Sequence, residues 1–172
     1  MDNNIHKIVI VDKNDNIIGA ATKENAFKKG IIRRISRIFL IDKDKIYLQR
    51  RGPTMKLFPN TWDQSAGGHV DEGETYIEAA KRELHEELGI SDVTLLELGK
   101  FYLEETYAGL ETFQFSMVFT ASYNHQLINF QQNEVSGGKW FGFEEVTKLI
   151  DQNPKDFSTG FIVAWSKFKN QL

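Results

Sequence analysis

Hydrophobic and polar positions along the chain fall into several short strand patterns, one long helical stripe and a helical C-terminus. Residues 7–12 (KIVIVD) and 17–22 (IIGAAT) predict two strands around the polar turn Lys13-Asn14-Asp15-Asn16. Thr22 is placed to cap a short helix that runs to Lys29 and ends at Gly30. Residues 35–42 (ISRIFLID) are apolar on both parities, as expected of a central strand, and 45–51 (KIYLQRR) predict its hairpin partner. After a loop with Gly52, Pro53 and Pro59, the period changes. Ile77, Ala80, Leu84 and Leu88 recur at spacings of three and four, the stripe of a helix that opens at Thr75 and stops at Gly89. Thr75 with Glu78 forms a capping-box pattern.

Residues 94–106 read as extended. Over 113–123 an oily face of Phe113, Phe115, Met117 and Phe119 alternates with a milder one of Gln114, Ser116, Val118 and Thr120. A loop at 124–136 leads to a strand near 138–142, and helices at about 143–151 and 158–169 close the chain. On the last of these Phe161, Trp165 and Phe168 form a core stripe. Strands alternating irregularly with a few helices predict an α/β fold, a mixed sheet covered by helices on both faces.

Composition narrows the function. A chain of 172 residues with 41% hydrophobic and 12% aromatic content suits one domain with a substantial core. The net charge of −3 and the lack of a long basic run argue against a nucleic-acid surface. Arg33, Arg34 and Arg37 read as a solvated face, or as a small basic spot. There is no cysteine, so disulfides, thiolate metal sites and thiol nucleophiles are out. The N-terminal run has no signal-peptide pattern, and no apolar run is long enough to span a membrane, so a soluble cytoplasmic protein is expected.

The chemistry concentrates in residues 68–90, GHVDEGETYIEAAKRELHEELGI. Glu83, Glu86 and Glu87 stand at i, i+3 and i+4 of the predicted helix, within an arc of about 100°. Like charges at those spacings repel, and a shared divalent cation would relieve the repulsion. A merely solvated acidic face is the alternative reading of these three residues alone. The full segment, however, fits G-x5-E-x7-R-E-U-x-E-E-x-G-U with U aliphatic, through Gly68, Glu74, Arg82, Glu83, Leu84, Glu86, Glu87, Gly89 and Ile90. In this it resembles the Nudix box.

The resemblance implies an α/β/α sandwich with the box as a loop-helix-loop beside the sheet. Here 1–32 would be an N-terminal extension of a single domain over 1–172. It implies cleavage of a phosphoanhydride bond, with Mg2+ or Mn2+, in a small diphosphate substrate derived from a nucleotide. Glu83, Glu86, Glu87 and the carbonyl of Gly67 are the metal ligands it implies. Glu86 is the first choice of general base and Glu134 the second. Arg82 would orient a box carboxylate, and Glu74 would brace the loop.

The opening VDKNDNIIGAATKENA, Arg50-Arg51 and FPNTWDQSAGGHVDEGE are similar to the branch that holds type I isopentenyl diphosphate isomerase as well as true hydrolases. By that similarity Arg51 and Lys56 would grip the diphosphate, with His69 either at the site or structural. The isomerase's catalytic cysteine falls at Gly67 and its glutamate at Gln114, and two metal-binding histidines fall at Phe27 and Arg34. Only His69 persists. Glycine and glutamine cannot exchange protons near neutral pH, and the box is complete, so hydrolysis is expected over isomerisation. A non-catalytic nucleotide-binding sensor is the third reading. Phe58, Trp62 and Tyr107 are candidates to stack a base. The N-terminal hairpin and the 124–136 loop are possible homodimer surfaces.

Overall fold

A computed structural model describes residues 6–130 and 134–172. Strands β1 (Ile8–Val11) and β2 (Ile17–Ala21) pair antiparallel around the predicted turn. The Asp12 carboxylate closes that turn by accepting the backbone N–H groups of Asn14 and Asn16. Thr22 caps helix α1 (Lys23–Lys28), accepting from the Asn25 N–H at 3.2 Å. Strand β3 (Arg33–Asp42) is central, and β4 (Lys45–Arg51) turns back on it. Two short strands follow, β5 (Trp62–Asp63) on β4 and β6 (Ala66–His69) on β3. Helix α2 (Tyr76–Leu88) starts in a complete Thr75/Glu78 capping box and stops at Gly89, whose φ of 69° is the left-handed conformation glycine adopts without strain. Strands β7 (Leu95–Tyr107) and β8 (Leu110–Ser122) make a long hairpin, with β8 parallel to β3. Strand β9 (Val135–Gly142) lies on β4, and α3 (Phe143–Gln152) and α4 (Thr159–Phe168) end the chain.

Among the described residues these nine strands form one mixed sheet. Both parities of β3 are buried because helices cover both faces. Ile38 and Leu40 pack with Tyr47 under Ala80, Leu84 and Leu88 of α2. Phe39 packs with Leu48 and Val118 under Phe161, Trp165 and Phe168 of α4. The architecture is the expected α/β/α sandwich. Strand β3 holds β4 for only two register pairs, Ile41 with Ile46 and Asp42 with Lys45, and then takes β6 instead. Ser65 stands where the strands part. Its hydroxyl accepts the Leu40 N–H of β3 and donates to the Tyr47 carbonyl of β4, so backbone groups left by the split stay satisfied.

Three sequence expectations change. Ile77 is 39% exposed, and the buried face of α2 runs through Ala79, Ala80, Leu84, Glu87 and Leu88. The helix is rolled so that Tyr76 packs inward and a glutamate joins the core side. On β8 the milder face is the buried one from Thr112 to Val118, after which Phe119 and Ala121 of the oily face are buried. Thr112, Gln114 and Ser116 are buried while Phe113, Phe115 and Met117 are half-buried. Arg33 and Arg37 are no solvated face, being 1% and 6% exposed. They lie in a strand that has no solvent side, and Arg37 donates to Ser116 Oγ of β8 at 3.1 Å and to Gln64 Oε1 at 2.7 Å. Arg34 points to the other face and pairs with the buried Asp15 at 2.7 Å.

Candidate active site

The box loop is built by its own backbone and by Arg82. The Asp71 N–H donates to Glu74 Oε2, and the Glu74 N–H to the Asp71 carbonyl. The Arg82 guanidinium grips both Glu74 oxygens, at 2.8 and 3.0 Å, and the His69 carbonyl at 2.9 Å. Its remaining Nη1 reaches Glu83 at 2.7 Å and Glu86 at 3.2 Å. These carboxylates, Glu74 first, raise the guanidinium further above its ordinary range and keep it charged.

The helical spacing delivers Glu83, Glu86 and Glu87 to one cavity of about 500 Å3, where Glu134 joins them from the start of the β9 region. The Glu83 side chain lies flat on Gly68, where a β carbon would overlap its carboxylate. Glu87 is buried, and its Oε2 accepts the Gly67 N–H at 2.8 Å and the Gln49 amide at 3.2 Å. Gly67 thus meets the box through its N–H. Glu86 is half-exposed. Burial pushes the Glu83 carboxyl up from the ordinary range, with the charges of Glu86 and Glu134 adding and Arg82 opposing. Glu87 is pushed well up, by burial first and then by Glu83, Asp63 and Glu134.

Among the described residues no three acidic or histidine side chains converge tightly enough to form a finished metal cage. Arg82 occupies the space between Glu83 and Glu86 instead. The donor set still fits a hard cation. Four carboxylates, two of them raised by burial, line the cavity, and Glu87 Oε1 accepts no hydrogen bond among the described residues. Mg2+ needs only a few protein oxygens, since it keeps several waters.

The facing wall comes from residues distant in sequence. Arg51 is held by Asp63 at 2.9 Å and donates to the Leu57 carbonyl at 3.1 Å. Asp63 also accepts from Ser158 Oγ at 2.7 Å. Arg37, Gln64, Glu105 and Gln114 complete the polar floor, and Met55, Leu57 and Phe58 form an apolar rim. The Phe58 ring meets Tyr107 with centroids 4.2 Å apart. Trp62 lies outside the cavity, against Phe141 and under the Arg50 guanidinium. Lys56 is exposed and is not part of the cavity wall.

His69 lines the cavity, but its Nε2 is enclosed without a partner among the described residues. Burial, aided by Lys23, Arg33, Arg37 and Arg82, pushes the imidazole well below its ordinary range and keeps it neutral. Its ring meets Phe27 edge-on at 6.1 Å, and the Arg33 guanidinium lies 3.8 Å from the Phe27 centroid. The residue that joins Phe27 and His69 is therefore Arg33, not Arg34. A phenyl ring and a guanidinium offer no lone pair to a metal, so this trio does not fit the isomerase's histidine site.

Gln49, Asp63, Gln64, Lys23 and Glu105 line the cavity and had no role in the sequence reading. The signal that was present is the polar run Asp63-Gln64-Ser65 directly before the box glycines.

A sandwich with a glutamate-bearing helix over a sheet split, and a cavity of mixed charge below it, defines a small-molecule enzyme rather than a scaffold. A model of the NUDIX domain matches residues 32–160, well over half of the chain. The uncharacterized Nudix hydrolase YfcD of Shigella flexneri is 34% identical over 159 residues, covering 92% of this chain and 85% of the relative. Isopentenyl-diphosphate Delta-isomerase 2 of Photorhabdus laumondii is 32% identical over 157 residues, covering 90% and 87%. The crystal structure of DR0079 from Deinococcus radiodurans superposes with a TM-score of 0.78 at 24% identity, covering 94% and 98%. The chain belongs to the Nudix family and is a hydrolase of that family. No helix among the described residues is long and apolar enough to cross a membrane.

Proposed function

We propose that this protein is a divalent-metal-dependent pyrophosphohydrolase acting, as a single Nudix unit, on a nucleoside-diphosphate-linked or related diphosphate. The observation that carries this reading is the wall of four carboxylates, Glu83, Glu86, Glu87 and Glu134, whose charge only Arg82 offsets among the described side chains that hydrogen-bond them. Glu83, Glu86 and Glu87 would hold Mg2+ or Mn2+. The ion supplies charge neutralisation on the phosphate oxygens and a more acidic water. Glu86, the most exposed of the three carboxylates at the C-terminal half of α2, takes the proton from the attacking water, with Glu134 as the second choice of base. Arg82 orients Glu83 and Glu86. Arg51, held by Asp63, faces the leaving phosphate. The polar floor of Arg37, Gln64, Glu105 and Gln114 suits a hydrogen-bonding group beyond the diphosphate and disfavours a prenyl chain.

Isomerisation is the weaker reading despite the isomerase relative. It needs an acid-base pair where this chain has Gly67 and Gln114, and a side chain at 67 would press on the Ser36 carbonyl at 2.6 Å. The test is phosphate release from nucleoside diphosphates and triphosphates, sugar nucleotides, dinucleoside polyphosphates and prenyl diphosphates, in Mg2+ and in Mn2+. Chelator-sensitive turnover, lost in Glu83→Gln and Glu87→Gln variants that still fold, is expected. Turnover unchanged in both variants would sink the metal assignment, and silence across the panel would move weight to isomerisation or to a nucleotide sensor.

A further inference from the structure

Beside the carboxylates stands a buried amide that makes one hydrogen bond among the described residues. Gln49 of β4 is 2% exposed. It shares the parity of Tyr47, which packs under α2, and its side chain borders the cavity beside Glu87. Its Nε2 donates to Glu87 Oε2 at 3.2 Å. Its Oε1 is buried and has no partner among the described residues. Rotating the amide would set that carbonyl against the Glu87 carboxylate, so the orientation is dictated by Glu87. A buried carbonyl without a donor lowers stability relative to an apolar group of the same shape. Packing therefore does not account for this residue, and its one used N–H does.

That N–H acts with a second one. Glu87 Oε2 takes the Gly67 N–H of β6 and the Gln49 amide of β4, from the two sides of the opening where β3 leaves β4 and takes β6. Gripping one oxygen from both sides of the split fixes the carboxylate rotamer, and the other oxygen, Oε1, accepts no hydrogen bond among the described residues. We propose that Gln49 is a positioning residue, whose amide pins Glu87 Oε2 so that Oε1 is presented to the cation, at a cost in stability. The role rests on the metal-dependent reading above.

The test uses the full chain and Mn2+ as the probe, titrated by the paramagnetic resonance signal of the free ion. Thermal melts without metal run alongside. Gln49→Met is expected to weaken Mn2+ binding about tenfold, the usual effect of losing a partner that orients a metal ligand. Its metal-free melting temperature is expected to match or exceed that of the parent. Should Gln49→Met fail to fold, Gln49→Asn decides on the same readout, because its amide is withdrawn by one methylene group from Oε2. A parent that binds Mn2+ while the folded variant binds it equally well overturns the role of Gln49 alone. A parent that does not bind Mn2+ overturns the metal reading and the role with it, and a Glu87→Gln control separates the two cases.

Discussion

Gly67 and Gly68 are neighbours in one short strand, yet alanine at the two positions should fail in opposite ways. At 67 a β carbon would lie 2.6 Å from the Ser36 carbonyl oxygen and 3.3 Å from the Arg37 α carbon. Both are backbone atoms of β3, and Gly67 is itself paired with Arg37 in the ladder, so neither side can yield without spreading the strands. Overpacking of this kind costs about 1–3 kcal/mol. For a chain of this length that lowers the melting temperature by about 2–12 °C. At 68 the three atoms nearest the β carbon all belong to the Glu83 carboxylate, the far end of a flexible side chain. The backbone there is not left-handed, so alanine fits once Glu83 swings away. The loss is one partly exposed ion pair with Arg82, at most about 1 kcal/mol. Turnover, however, should fall about 10–100-fold, because the proposed metal ligand Glu83 has lost its seat.

The assay is a thermal melt of Gly67→Ala and Gly68→Ala beside metal-dependent phosphate release, each rate normalised to folded protein. Gly67→Ala should lose stability. Its turnover at low temperature should suffer less than that of Gly68→Ala, since Glu83 keeps its bed. If Gly68→Ala melts as low as Gly67→Ala while turning over at the parent rate, Glu83 does not need the surface of Gly68 and the site geometry is wrong.

Two further outcomes follow from buried charge. His69 has its imidazole pushed well below the ordinary 6.5 by burial and by four neighbouring cations. As pH falls through 6.5 the unfolded chain therefore takes up a proton that the folded chain refuses, so stability is lost from there down to the folded value. Melts between pH 7.5 and 5 should show a decline that His69→Gln flattens, and an equal decline in both proteins would refute the link. Asp15 is a buried carboxylate that pairs with Arg34 at 2.7 Å, accepts the Tyr76 hydroxyl at 3.1 Å and holds the Lys100 ammonium. Asp15→Ala leaves Arg34 largely enclosed and should cost about 3 kcal/mol, read by urea unfolding. A cost below about 1 kcal/mol would mean that the N-terminal hairpin is not clipped to α2 through this carboxylate.

What could be read in the chain and what could not divide along the same physical line. Glu83, Glu86 and Glu87 were legible because one helix carries them, and helical spacing converts sequence distance into position. Thr75, Glu78 and Gly89 were legible for the same reason, since caps are local hydrogen bonds. Gln49, Asp63 and Arg37 were not, because they meet only where β3 drops β4 after two pairs and β6 takes its place, a fact of register. Arg33 and Arg37 were misread through a rule that holds for half-buried strands, that a charged residue marks the solvent side. A strand with helices on both faces has no such side, and there a charge marks a polar interior. Read that way, the arginines inside the apolar run of β3 and the Thr112, Gln114 and Ser116 parity of β8 are one observation. Two polar stripes on adjacent strands, both buried, place Arg37 and Gln114 in the cavity floor, which suits a polar ligand. The box alone places the charges for a cation. Joined to that floor, it supports the proposal that the group beyond the diphosphate is one that makes hydrogen bonds.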